Sequence, residues 1–291
     1  MELYIVDGTY ELFRSHFGYP SRISPGGSEV GALKGYITHL NSLKKQYKYL
    51  CVSFDSTVES FRNDLYDGYK SSNDIDPDIL NQFPLAEEVT KLLGITLLSM
   101  KKYEADDGIA SVCEQFSDKN IKIIIGSLDK DLMQCVKGDE VVMYSTRYKT
   151  FTNDKGVKEK FGILPNQIPD FLALTGDSSD GIPGMKGIGQ KTAALLLQKY
   201  ENIDLILNDV DNWKKTVRGG ERHAETISNN FELLKLFKEL TTLKKSVNVP
   251  TDIEDYKVKN INQTMLIKFS EKYRLNTVSY THLTLPTKCW V

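Results

Sequence analysis

The sequence predicts an α/β fold built on a largely parallel central sheet, followed by a helical second region. Short apolar, β-branched runs recur through the first half, longer helix-periodic segments separate most of them, and the strand signals fade after Phe161. Such alternation marks βα units, whose parallel strands are buried on both faces and therefore read as nearly continuous hydrophobic runs. The strand candidates are Leu3 to Val6, Leu50 to Phe54, Ile95 to Leu98, Ile121 to Ile125 and Val141 to Tyr144. Between Glu29 and Tyr47 the positions Val30, Leu33, Ile37, Leu40 and Leu43 keep helical spacing, so the first crossover is an amphipathic helix. Residues 1–164 form the expected α/β core. The polar stretch from Glu59 to Asp78 has no clean period and reads as a mobile insertion, bounded at about 56–84. Residues 165–277 form the helical region, broken by Gly and Pro most densely at Gly181-Ile182-Pro183-Gly184. No internal repeat or low-complexity linker lies between them, so the two parts are expected to pack as one body.

The composition narrows the class. With 291 residues, 40% of them hydrophobic and 26% charged, the chain can bury a core without staples. No apolar stretch approaches a membrane span, and Met-Glu-Leu-Tyr-Ile-Val-Asp at the N-terminus lacks a secretory pattern. Cys51, Cys113, Cys135 and Cys289 are scattered without a C-x-x-C pair, so neither a zinc cage nor a disulfide framework is expected. These features fit a reduced, cytoplasmic setting. The formal net charge of −2 argues against a broadly basic nucleic-acid binder and leaves local patches and bound cations to decide. The stretch Val278 to Thr287 is unlike the rest and resembles the translation of a sequencing-library adapter, so residues 278–291 are expected to be a non-native tail.

The acids fall where strands should end. Asp7 follows Leu-Tyr-Ile-Val, Asp55 follows Cys-Val-Ser-Phe, Asp129 and Asp131 follow Ile-Ile-Ile-Gly-Ser-Leu, and Glu104, Asp106 and Asp107 open a helix. One Asp after a strand is ordinarily a turn residue or a helix cap. In open α/β sheets, however, ligands bind beyond the carboxyl ends of strands, so several such acids can converge. Asp177 and Asp180 of Gly-Asp-Ser-Ser-Asp-Gly complete nine carboxylates in one expected pocket. Two unit charges about 4 Å apart repel by roughly 4 kcal/mol at an effective dielectric near 20, so the pocket should take up cations. Oxygen-only ligands suit Mg²⁺ or Mn²⁺ and disfavour zinc. Two such ions would support in-line hydrolysis of a phosphodiester.

Taken together, Val6-Asp7-Gly8 with Leu12-Phe13-Arg14, Phe54-Asp55, Phe61-Arg62, Tyr69-Lys70, Glu104-Ala105-Asp106-Asp107, Asp129-Lys130-Asp131 and Gly176-Asp177-Ser178-Ser179-Asp180 with Ile182-Pro183-Gly184 carry a recognisable order. It resembles the 5′-nuclease, or flap endonuclease, family, which includes the 5′-3′ exonuclease domain of bacterial DNA polymerase I and stand-alone phage proteins. The resemblance spans roughly residues 1 to 276. It implies a mixed central sheet, a helical arch over the site and a helix-three-turn-helix region, about 176–200, that grips duplex DNA. It places Asp7, Asp55, Glu104, Asp106 and Asp107 in a first metal cluster, and Asp129, Asp131, Asp177 and Asp180 in a second. It also assigns Arg14 and Lys70 to the scissile phosphate as catalytic groups, and Arg62 and Tyr69 to the DNA strand. The motif Gly184-Met185-Lys186-Gly187-Ile188-Gly189-Gln190-Lys191-Thr192 resembles the family's duplex-binding hairpin, with Gly184, Lys186, Gly187, Gly189, Lys191 and Thr192 as DNA contacts and K⁺ as a companion ion. Glycines let a backbone approach phosphate, and the next helix offers its N-terminal amides. The same motif nearly matches a nucleotide-binding loop, but Gln190 stands where that loop needs Lys and no strand precedes it.

The implied activity is Mg²⁺-dependent cleavage of 5′-flap, nicked or 5′-ended DNA in replication and repair, by a monomer fused to or working with a DNA polymerase. Two features depart from the family pattern. Asn73 stands where relatives often carry a basic residue, and Gly181 replaces a common Asn. From Glu59 to Asp78 the acids Glu59, Asp64, Asp67, Asp74, Asp76 and Asp78 outnumber Arg62 and Lys70, a balance of −4 that weighs against strong strand threading. The rival readings are a PIN-type ribonuclease, a branched-DNA-binding protein without turnover, and the front portion of a longer polymerase.

Overall fold

The computed structural model describes residues 1–275, so the tail expected at 278–291 and Cys289 lie outside the described residues. Six strands form one sheet: β1 (Glu2–Asp7), β2 (Tyr49–Asp55), β3 (Thr96–Met100), β4 (Lys122–Gly126), β5 (Val141–Ser145) and β6 (Thr150–Thr152), in the spatial order β3-β2-β1-β4-β5-β6. The first five run parallel, and β6 pairs antiparallel with β5. Each of the five apolar runs became a strand. β6 gave no advance signal because Thr-Phe-Thr is three residues long and lies on an exposed edge.

Both faces of the sheet are covered, which is why the strands lack a polar alternation. Leu3 and Ile5 of β1 point into one core with Cys51, Ile123, Ile125 and the helix Ala105–Phe116. Tyr4 and Val6 point into the other, against Leu50, Val52, Ile124 and the crossover helix Gly31–Gln46. A helix at Gly8–Gly18, absent from the sequence expectations, starts directly where β1 ends. Gly8 permits that tight exit, since a Cβ there would lie 2.4 Å from the Phe54 ring and 2.6 Å from Val52.

Register brings the carboxyl ends of the strands together. Asp7 pairs with Ser53, Asp55 with Met100, and Val6 with Gly126, so the loops leaving β1, β2 and β4 open on one rim. The helical region sits beside this rim. Its helix Ile168–Thr175 packs against Phe231–Thr241, and Trp213, fully buried, donates Nε1–H to the Ile206 carbonyl.

The insertion at 56–84 forms a low strap where a helical arch was expected. Before the helix Phe83–Leu92 begins, it holds the short helices Phe61–Leu65 and Pro77–Leu80 and a 3-10 turn at Ser72–Asp74. Its own polar groups tie it down: Asn63 donates to the Lys70 carbonyl, and the Lys70 N–H donates to the Asp180 carbonyl at 3.1 Å. Among the described residues no helix is long and apolar enough to cross a membrane.

Candidate active site

A cavity of about 650 Å³ opens at the carboxyl rim, walled by Asp7, Asp55, Glu104, Asp106, Asp129 and Asp180, with Tyr10, Phe13, Tyr69 and Lys70 between them. Each acid is placed by the element it terminates or starts. Asp7 ends β1 and caps the next helix, its Oδ1 accepting from Tyr10 N–H at 2.9 Å and its Oδ2 from Ser127 Oγ at 2.8 Å. Asp55 ends β2 and accepts from Ala105 N–H at 2.6 Å, which ties the strand to the helix carrying Asp106. Glu104 is the N-cap of that helix, where the positive helix end favours a carboxylate. Its Oε1 accepts from Ser60 Oγ at 2.7 Å, and its Oε2 from Tyr69 Oη and Lys70 Nζ, both at 3.2 Å.

A second group lies alongside. Ligand oxygens of Asp131, Asp177 and Asp180 sit within 4.8 Å of one another. Asp129 joins it, its Oδ1 accepting from Asp131 N–H at 3.0 Å. Lys70 spans the two groups, 3.2 Å from Glu104 and 3.0 Å from Asp180. Lys130 Nζ is 2.8 Å from Asp177 Oδ1. Sequence reasoning gave Lys130 no role, although its position inside Asp129-Lys130-Asp131 was the signal available. Ser127, which holds both Asp7 and the Asp129 N–H, left no signal beyond its place after β4.

Burial and mutual repulsion push Asp7, Asp55, Asp106, Asp129 and Asp131 toward their protonated forms. Desolvation, reinforced by Asp129 and Asp55, raises Asp7 to about 7 despite the bonds from Tyr10 and Ser127. Burial and then neighbouring carboxylates drive Asp106 and Asp131 well above the usual range, and burial raises Asp55 and Asp129 in the same direction. Two acids go the other way: at Asp177 burial raises the value but the bond and charge of Lys130 outweigh it, and the second is Glu104. Burial acts on it too, but Lys70 and Arg62 outweigh that effect and hold it below the usual value. Asp131 Oδ1 is buried without any hydrogen-bond partner. An orphaned carboxylate oxygen among acids that cannot all ionise together is the arrangement a divalent cation satisfies, and the all-oxygen donor set fits a hard ion.

Four expected site residues are placed otherwise than expected. Asp107, expected among the metal ligands, is wholly buried and takes both Arg62 Nη1 and Nη2, at 2.7 and 2.8 Å. Arg62, expected on the DNA strand, is equally buried, since its guanidinium is spent on Asp107 and on the Leu240 carbonyl at 2.8 Å. Tyr69 is 4% exposed and presents its hydroxyl to Glu104 where a DNA contact was expected. Arg14 lies outside the cavity wall, its Nε and Nη2 bound to Glu11 at 2.8 and 2.5 Å. Of the hairpin residues, Gly184 and Gly187 take positive φ at the turns and Gly189 caps the helix Gln190–Tyr200. Lys186 and Lys191 face solvent, Thr192 is half-buried, and Met185 and Ile188 anchor the loop from beneath. A two-way backbone bridge between Asp177 and Ile182 ties this hairpin to the second acidic group.

Comparison with known proteins places this arrangement. Residues 2–162 match the 5′-3′ exonuclease N-terminal resolvase-like domain, and residues 163–264 match the 5′-3′ exonuclease C-terminal SAM fold. The chain belongs to the 5′-3′ exonuclease family. It is 38% identical over 261 residues to the 5′-3′ exonuclease of Aquifex aeolicus, covering 88% of this chain and 86% of that protein. It is 32% identical to DNA polymerase I of Caldicellulosiruptor bescii across 91% of this chain, but spans only 32% of that polymerase. The flap endonuclease of bacteriophage T5, solved as a complex with DNA and metal ions, superposes with a TM-score of 0.67 at 21% identity, over 96% of this chain and 99% of that one. That superposition establishes a shared fold: a largely parallel sheet with a helical C-terminal region.

Proposed function

We propose that this 5′-3′ exonuclease family member is a structure-specific nuclease that hydrolyses phosphodiester bonds of 5′-flap, nicked or 5′-ended DNA with Mg²⁺, for which Mn²⁺ can substitute. The observation that carries this reading is the convergence of acids from separate strand ends on one cavity, with Asp131 Oδ1 left unpartnered. Asp7, Asp55, Glu104 and Asp106 hold one ion, and Asp129, Asp131, Asp177 and Asp180 a second. Bound there, the ions supply positive charge that activates water and stabilises the leaving oxygen. Lys70, between the two groups, binds the scissile phosphate and orients it against the carboxylates. Arg14, a third exposed on the helix that supplies Tyr10 and Phe13, meets phosphates at the rim. Gly184, Gly187 and Gly189 admit the duplex backbone to the Gln190 helix N-terminus, and Lys186, Lys191 and Thr192 add donors to phosphate. K⁺ at this hairpin, action as a monomer in the cytoplasm, and cooperation with a DNA polymerase complete the proposal. The proposed division places the nuclease core at residues 1–164.

The test is Mg²⁺-dependent digestion of a 5′-flap, a nicked duplex and a single strand, each with a matched RNA version. Asp129→Asn combined with Asp131→Asn should abolish cleavage and leave flap binding largely intact, because the hairpin is untouched. Wild-type turnover by this double variant, or full activity in chelator, overturns the reading. Preference for RNA flaps would favour a ribonuclease.

A further inference from the structure

We infer that the buried Arg62–Asp107 pair is a positioning device for the acidic cluster: it locks Glu104 and the start of the Ala105–Phe116 helix to the main chain that leaves the helical region, so cation affinity depends on that docking. This rests on the metal-dependent reading above and extends it.

Arg62 spends its whole guanidinium inside the protein. Nε donates to Leu240 O at 2.8 Å, Nη1 and Nη2 grip Asp107, Nη2 reaches Thr242 O at 3.3 Å, and Nη1 lies 3.7 Å from Glu104 Oε2. Asp107 in turn accepts from Glu104 N–H at 3.0 Å and from Lys244 N–H at 2.8 Å. The backbone of residues 240–244 is therefore read by side chains from the strap and from the cluster's own helix. Gln134, three residues after Asp131, extends the same grip: it donates to Thr241 O and accepts from Leu243 N–H, both at 3.0 Å.

Fold stability alone is a weak reason to bury such a pair, because well-packed apolar residues of similar volume often serve as well or better. What apolar residues cannot do is fix the Glu104 N–H from one side while placing a cation beside its carboxylate from the other. Groups that orient metal ligands from behind typically change metal affinity by about 10–100-fold when removed.

The experiment uses the full chain without DNA. Mg²⁺ and Mn²⁺ are titrated calorimetrically into wild type, Arg62→Lys, and the double variant Arg62→Met with Asp107→Leu, below the melting point with folding checked by near-ultraviolet dichroism. The expected result is a loss of cation affinity of roughly 10-fold or more in both variants, with duplex affinity in chelator within roughly twofold of wild type. A purely structural pair would lower the melting temperature and leave the cation isotherm of the folded protein unchanged, and that result overturns the inference. If the double variant does not fold, Arg62→Lys, which keeps the charge but loses the two-pronged geometry, decides by the same criterion. Absence of cation binding in wild type would sink the proposed function itself, a distinct outcome.

Discussion

Gly181→Ala tests how the strap meets the acidic loop. Gly181 has φ +73°, and a Cβ there would lie 2.1 Å from the Gly68 carbonyl oxygen, a backbone atom that cannot rotate away. Beside this contact the Lys70 N–H donates to Asp180 O, and the Lys70 ammonium joins Asp180 to Glu104. The left-handed backbone costs an alanine about 1–2 kcal/mol. Forcing the loops apart removes the Lys70–Asp180 backbone bond, about 1 kcal/mol net. The stiffer unfolded chain gives back about 0.4–1 kcal/mol. The balance is about 2 kcal/mol, which at about 2–4 °C per kcal/mol for a chain near this size lowers Tm by about 4–8 °C. Activity should fall further than stability. Displacing Lys70 by about 1 Å from its carboxylates can cost on the order of 10²-fold in rate. Melting and single-turnover flap cleavage, the latter well below Tm, provide the two readouts. Gly181→Asn separates the causes, because Asn tolerates positive φ but carries the same Cβ. If Asn restores both Tm and rate, backbone strain and not close approach is what Gly181 relieves. If Gly181→Ala melts within about 1 °C of wild type and cuts normally, the docking of strap on loop is wrong.

Two further outcomes follow from the strap and from the loop ahead of the crossover helix. Asn73→Arg adds a cation to the exposed face near Lys70, so 5′-flap affinity should rise and its salt dependence steepen by about 0.7 in slope; if neither changes, this face does not hold the strand. Glu29, 6% exposed, accepts from Ser21 Oγ and from the Arg22 and Gly31 N–H groups, and although burial opposes it these bonds lower its pKa below the ordinary glutamate value of 4.5. A depressed acid contributes stability that is present above 4.5 and lost as pH falls through the lower folded value, so Glu29→Gln should destabilise at pH 7 and flatten the acid limb of the Tm profile. An unchanged limb would remove Glu29 from acid unfolding.

The sheet and the rim of acids were legible in the amino-acid pattern. Apolar runs such as Ile121 to Ile125 have no stable place except between two covered faces, and an Asp directly after such a run must emerge at a strand end. The Gly184–Thr192 hairpin was suggested by resemblance to the family's motif, since glycines at those spacings permit turns before a helix without requiring them. The shape of the strap was not legible, because residues 56–84 lack any period and are held by partners such as Asp180, far along the chain. Nor was the fate of Asp106 and Asp107. Adjacent residues on a helix point about 100° apart, so one of two neighbouring acids faces the cavity and the other the protein body, and order along the chain does not say which. Long-range packing settled it, by placing Arg62, 45 residues away, and the Leu240 carbonyl, 178 residues beyond Arg62, on the Asp107 side. A guanidinium with no route to water is satisfied by a carboxylate that meets it squarely, and that match turned Asp107 away from the cavity and buried Arg62.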